Sequence, residues 1–249
     1  MQYFKNFRKT LYTFGDDFEK IGGGNRQMEY VRDITLYVDV VDQVRESLSY
    51  YEPYSIIEGE RPDQVSQFLY DTPTYHWTFF MMNDKLRSQG WPLTNKQIEE
   101  KIVVDFPHKY VRFQADISNV FLEGEYAYGV LSGTRGQIIK RHLDTGTIIV
   151  ETDDNFIQGE ALSCSGPAQN VARIANIGTG YEYYATHHYE NSNGEYVDID
   201  PTAPVPGVYN EVTIFDRYIR ENDNLKNIAV IKQENITQIA SAFKRALTS

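Results

Sequence analysis

The residues best suited to chemistry in this 249-residue chain lie late in it: His187-His188, then Glu190, Asp198 and Asp200. Imidazoles and carboxylates together are a zinc donor set. Spacing argues against a shared metal. Successive side chains of an extended strand point to opposite faces, so His187 and His188 are not expected to meet at one ion. His76, His108 and His142 stand alone, without the paired helical spacing of metal-binding histidines. The 35 acids offer many carboxylate pairs, but no motif raises one pair above the rest for glycoside cleavage. There is no G-x-S-x-G elbow, no P-loop and no HExxH. Gly22-Gly23-Gly24 lacks the preceding strand of a phosphate-binding loop and reads as a flexible link. Cys164 is the single cysteine, so no intrachain disulfide is possible, and no activating neighbour is evident; it reads as a small buried hydrophobe. The expectation is a non-enzyme without cofactor or metal.

The elements that would position any site are clearest over residues 54–93. A short apolar strand leads into a Gly59-Glu60-Arg61 turn, and Pro62 stands where a helix starts. Val65, Phe68 and Leu69 follow at spacings of three and four, the mark of one buried helical face. Thr72-Pro73 repeats the start signal, and Trp77, Phe80, Met81 and Met82 supply a second apolar face before Asn83-Asp84. Thr94 and Gln97 form a capping-box pattern for a further helix with Ile98, Ile102 and Val103. Sugar binding would need exposed aromatic faces in a groove. Trp77 and Phe80 instead sit at core spacing, and Trp91-Pro92 reads as a packed turn.

Around this lie three other regions. Residues 1–53 are an aromatic-rich lead-in, with Phe4, Phe7, Tyr12 and Phe14 before the glycines, a strand at residues 34–38 and a short helix through Val40, Val41, Val44 and Leu48. Residues 106–117 read as a connector. Residues 118–180 carry an internal repeat: Phe121-Leu-Glu-Gly124-Glu125 recurs as Phe156-Ile-Gln-Gly159-Glu160. Ser132-Gly133 recurs as Ser165-Gly166, Ile138 and Lys140 as Val171 and Arg173, and Thr145-Gly146 as Thr179-Gly180. Two similar β-units making a small barrel or sandwich are expected. In residues 181–249, Asn193-Gly194 marks a hairpin. Strands at residues 212–218 and 226–231 are expected to flank a polar turn at residues 221–224. Ile236, Ile239, Ala240, Phe243, Ala246 and Leu247 stripe a closing helix.

Composition narrows the partners. A net charge of −11 argues against nucleic acid, which needs a basic face. Nine acids between residues 181 and 223 face only Arg217 and Arg220, a local net of −7, whereas residues 224–249 carry +3. Such asymmetry can orient a partner. The 19 tyrosines suit either protein interfaces or a β-rich core. No run approaches the ~20 apolar residues of a membrane span, and the N-terminus lacks a secretory signal.

The wording of residues 54–93 is narrower than its plan: a GERPD turn, LY, Y-x-W, an asparagine, then W-P-L. It resembles the LysM-like segment of the baseplate wedge subunit (wedge protein 53 family) of contractile-tailed bacteriophages. Weaker likeness extends to His187-His188-Tyr189-Glu190, Val212-Thr213 and Asn224-Leu225-Lys226-Asn227-Ile228. The resemblance implies a structural virion protein of the tail baseplate, assembled in the host cytoplasm, one copy in each of six wedges around a central hub. It implies as partners other wedge proteins, neighbouring wedges and the sheath-initiating lysozyme-like subunit. No catalytic residue transfers. Arg61, Asp63, Tyr70, Tyr75, Trp77, Trp91 and Pro92 mark the motif and are the candidate partner-binding residues. The alternatives are a peptidoglycan-binding LysM protein or wall-hydrolase targeting module, and a cytoplasmic β-rich assembly factor. The expected fold is α+β and multi-modular: a lead-in over residues 1–53, a LysM-like βααβ module over 54–105, a connector and β-module over 106–180, and a β-hairpin region with a C-terminal helix over 181–249.

Overall fold

The computed structural model describes residues 9–14, 27–32, 50–164 and 173–246. The fold is α+β and divides into two units, Met1–Pro92 with Asp223–Ser249, and Leu93–Asn222. The division differs from the expected one: a contiguous module over residues 54–105 is not what forms. Its helices belong with the C-terminal segment, and residues 93–105 belong to the second unit. The reason is strand pairing. β3 (Tyr51–Ser55) finds its partner in β13 (Asn227–Ile231), antiparallel from Tyr51↔Ile231 to Ser55↔Asn227.

In the first unit β1 (Lys9–Phe14) and β2 (Gln27–Arg32) pair antiparallel. The strand and helix expected at residues 34–48, like the Gly22–Gly24 link, lie outside the described residues. After β3 come α1 (Pro62–Tyr70), a 3-10 turn (Pro73–Tyr75), α2 (Trp77–Met82) and α3 (Asp84–Gln89). Pro62 opens α1 as expected, and the Gln64 side chain accepts the Arg61 N–H at 3.0 Å. Of the expected stripe, Val65 is buried and Leu69 packs half-buried against the core, but Phe68 does not join them. Val65, Ser66 and Tyr70 are buried and Phe68 is 75% exposed. Ser66 is needed inside because its hydroxyl donates to Thr72 O (2.7 Å) and accepts from Tyr75 N (3.2 Å), tying α1 to the turn that follows. On α2, Phe79 and Met81 are fully buried and Met82 nearly so, while Trp77 and Phe80 lie half-buried against the same core. That core is completed by Ile228, Val230 and Ile231 of β13 and by Ile236, Ile239 and Phe243 of α6 (Gln233–Ala246), the expected closing stripe; Leu247 lies outside the described residues.

In the second unit α4 (Asn95–Asp105) starts on the expected Thr94–Gln97 capping box. Ile98 and Ile102 are buried, but Val103 is 52% exposed. Six antiparallel strands then close a barrel in the order β4 (Lys109–Phe113), β7 (Thr147–Glu151), β6 (Arg135–His142), β5 (Tyr126–Gly129), β8 (Ala161–Cys164), β9 (Ile174–Tyr181). The expected connector at residues 106–117 is therefore part of the barrel: Lys109, Val111 and Phe113 alternate inward, the period-two signature of a strand. Phe113, Phe121, Ile138, Ile148 and Leu162 fill the interior. Cys164 is half-buried against it.

The repeat is structural. Gly124 (φ +86°) and Gly159 (φ +83°) occupy equivalent turns. Glu125 N donates to Leu122 O and Glu160 N to Ile157 O; the carbonyls of the two glutamates then accept Ile138 N and Asn176 N. The equivalence relates β5, β6 and β7 to β8, β9 and β4, a pseudo-two-fold across the β5–β8 and β4–β7 pairs. It also corrects the alignment after the turns. Ile138 corresponds to Asn176, not Val171, so the second copy is the longer there; residues 165–172 lie outside the described residues. Gly146 sits in a turn at φ +63°, whereas Gly180 lies within β9, so Thr145-Gly146 and Thr179-Gly180 are not equivalent.

Beyond the barrel, a 3-10 turn (Glu182–Tyr184) precedes β10 (Thr186–Glu190), which pairs with β11 (Tyr196–Val197) and β12 (Asn210–Thr213). The Asn193-Gly194 hairpin forms, with Asn191 Oδ1 accepting from Asn193 N and Glu195 N. The expected strand–turn–strand over residues 212–231 does not. α5 (Ile214–Lys226) runs through it. Thr213 and Asp216 explain this by reciprocal capping: Thr213 Oγ1 accepts Asp216 N at 3.1 Å and Asp216 Oδ2 accepts Thr213 N at 3.0 Å.

Candidate functional site

The seven motif residues fall into two groups. Arg61 and Asp63 form an exposed ion pair at the start of α1, with Arg61 Nη2 3.0 Å from Asp63 Oδ2. The others pack within the first unit. Tyr70 is buried and donates its hydroxyl to Ile231 O at 2.8 Å, bridging α1 to β13; burial pushes its phenol pKa up. Tyr75 meets Tyr70 edge-on at 6.0 Å, Trp77 stacks on Phe243 at 5.0 Å, and Trp91 lies tilted against Phe79 and Phe80. Trp91 Nε1 also donates to Glu60 O at 2.6 Å, so the W-P-L segment pins the GER turn; Pro92 is half-buried beside it. The aromatics are thus occupied in packing.

Asn83 is the structural residue that sequence reasoning passed over as a helix end. Its Nδ2 donates to Phe79 O (2.8 Å) and Ala229 O (2.9 Å), and its Oδ1 accepts Ala229 N at 2.9 Å. The side-chain amide pairs with β13 as a neighbouring strand would. The motif asparagine was the available signal.

Two shallow grooves lie in the first unit. One is lined by Tyr51, Pro53 and Tyr54 of β3 and by Asn227 and Ala229 of β13. Tyr54 donates to Glu60 Oε2 at 3.0 Å, and burial with that carboxylate's proximity pushes its phenol up to about 12. The other runs past Met82, Asp84, Lys85, Asn224 and Leu225. Neither contains an acid–base pair poised on a nucleophile. Exposed apolar side chains on this unit include Phe68 and Ile57.

In the second unit the two histidines do meet, against the strand expectation: His187 Nδ1 and His188 Nδ1 are 2.8 Å apart. The register of β10 against β12 shifts between Thr186 and His188, so residue 187 is an extra residue and the strict alternation fails there. Asp198 and Asp200 do not join them as a metal set; among the described residues no group of three His, Cys, Asp or Glu side chains is placed to hold an ion. Arg112 of β4 reaches Thr186 Oγ1 (3.2 Å) and Glu211 Oε1 (3.0 Å), while Thr186 also donates to Glu211. An aromatic ladder of Tyr181, Tyr183 and Tyr184 ends on Phe215, with Tyr181 and Tyr184 about half exposed. Lys109 Nζ caps the Tyr181 ring at 3.4 Å.

No helix among the described residues is long and apolar enough to cross a membrane. No protein-family model and no curated protein matches the chain.

Proposed function

We propose that this chain is a structural component of a contractile phage tail baseplate. It would join wedge proteins within a wedge, and neighbouring wedges, around the central hub. The first unit is then a LysM-like module split by an insertion: β3, α1, α2 and β13 give the βααβ order, with residues 93–222 inserted before the last strand. The observation carrying this reading is that residues 54–93, where the likeness to the wedge subunit is sharpest, and residues 224–228, one of the three segments of weaker likeness, contribute to one core although about 130 residues separate them. Its aromatics pack inward, which favours a protein–protein adaptor over a saccharide groove. Partners are the other wedge proteins and the sheath-initiating lysozyme-like subunit; Arg61, Asp63 and Phe68 are among the exposed residues of the motif region available to them.

Cryo-electron microscopy of the tails of the virus encoding this chain is the direct test. One copy is expected in each of six wedges, and a tail map lacking the chain overturns the proposal. Sedimentation with purified peptidoglycan separates the alternative: saturable co-pelleting displaced by chito-oligosaccharide would establish a wall-binding module instead.

A further inference from the structure

Arg217 of α5 approaches His187 Nε2 at 2.7 Å, His187 Nδ1 approaches His188 Nδ1 at 2.8 Å, and His188 Nε2 approaches Glu190 Oε1 at 3.0 Å. An arginine only donates, and this fixes the direction of every bond in the series. His187 Nε2 must accept, so its single proton is on Nδ1. That N–H points at His188 Nδ1, which must therefore accept, leaving the His188 proton on Nε2 and aimed at Glu190. Glu190 closes the series by accepting from Arg220 at 2.7 and 2.8 Å through its two oxygens. One tautomer of each ring satisfies all the contacts.

We propose that this series of hydrogen bonds is a pH-operated latch between helix α5 and strand β10, closed while His187 is neutral and broken when that ring accepts a proton. A proton added at His187 Nε2 faces the Arg217 N–H. It has no acceptor there, so the contact between His187 and Arg217 must break. Opening is local because both arginines keep other partners, Arg217 with Glu221 at 2.8 Å and Arg220 with Glu190.

The surroundings are mixed in charge. From α5 come Arg217, Arg220, Asp216 and Glu221; from β10, Glu190; and from the β6–β7 hairpin, His142 and Asp144. Tyr196 of β11 stacks on His188 at 5.3 Å and contributes no charge. Desolvation, then Arg217 and the two neighbouring histidines, hold His187 below the usual histidine range against Asp144 alone. The folded pKa is thus depressed. The latch is complete above the unfolded histidine value of about 6.5 and is lost as pH falls from there through the folded pKa.

Ring-nitrogen NMR of the full chain with labelled histidine tests the bond directions. At pH 8, His187 is expected as the Nδ1–H tautomer and His188 as the Nε2–H tautomer. Finding His187 protonated at Nε2 overturns the latch. Hydrogen exchange then tests the consequence. On acidification to pH 5, protection factors over residues 217–222 should fall on the order of fivefold, the effect of losing about one net hydrogen bond. His187→Gln can still accept from Arg217 and donate to His188 without titrating, so it should flatten that fall; an undiminished fall in this variant also overturns the proposal. The tautomer measurement uses the wild-type chain and stands even if the variant folds poorly.

Discussion

Two turns of the barrel, residues 121–125 and 156–160, share their sequence pattern, their positive-φ glycine and their backbone hydrogen bonds, yet their glutamates have different duties. Glu125 closes only its own turn, accepting Leu122 N at 3.0 Å. Glu160 is 1% exposed and accepts Leu131 N, Ser132 N, Ser132 Oγ and Ile157 N, all between 2.6 and 2.9 Å. The first is a local turn device, the second also the anchor of a loop from the other repeat. Gly129 makes room for it: a Cβ there would stand 2.7 Å from Glu160 Oε1. The phenylalanines diverge similarly. Phe121 adopts φ +56° and stacks nearly parallel on Phe113 at 4.8 Å, whereas Phe156 is buried without a ring partner of that kind among the described contacts. The shared local pattern sets the turn, and tertiary surroundings set how much each copy carries.

The largest test of that contrast is truncation of the rings. Phe121→Ala and Phe156→Ala should each cost about 3–5 kcal/mol in urea unfolding, since both empty a closed barrel. The stack on Phe113 should make Phe121→Ala the worse by about 0.5–1 kcal/mol. Equal or reversed costs would show that the two halves bear load alike.

Next is the glutamate pair. Glu160→Gln turns an amide N–H2 toward N–H donors and leaves at least one unsatisfied, for about 3 kcal/mol; Glu125→Gln keeps an acceptor for Leu122 N and should cost below about 0.5 kcal/mol. Burial raises the Glu160 pKa, but the bonds from Ser132, Ile157 and Leu131 outweigh it and hold the carboxyl below its ordinary value of 4.5. The sign follows: this stabilisation is complete above about 4.5 and is lost as pH falls through the folded pKa. The gap between wild type and Glu160→Gln should therefore narrow in acid. A gap independent of pH would mean that the charge does not matter there.

What was legible in the sequence follows the same division between local and distant causes. The turn pair, the Thr94–Gln97 box, Pro62 and the Asn193-Gly194 hairpin were readable because neighbouring residues determine each. The β3–β13 pair joins residues more than 170 positions apart, and no local pattern announces it. Residues 109–113 did alternate in the sequence, but five residues are a weak signal beside the repeats. Residues 214–226 were misread because the apolar run at Val212 hid the Thr213–Asp216 cap. At the candidate site, the packing role of Trp77 and Trp91 was readable from spacing. The meeting of His187 and His188 was not, since it depends on a register shift set by β12.

The smallest effect concerns the turn glycines, where the two copies should be indistinguishable. Both have nothing within 4 Å of a built Cβ, so alanine meets no atom in either place. What remains is conformational: at φ +86° and +83° an L-residue is strained by its own backbone, independently of the surroundings. Gly124→Ala and Gly159→Ala should each cost about 1 kcal/mol. They should agree within about 0.5 kcal/mol and add in the double variant. Glu160 sits beside one of these glycines and Glu125 beside the other, so the comparison asks whether the anchored loop depends on the turn's backbone or only on the carboxylate. If Gly159→Ala proves clearly the more damaging, the strain reaches Glu160 and weakens its hold on Leu131 and Ser132. The backbone and the buried carboxylate would then act as one unit in the second copy and remain separate in the first.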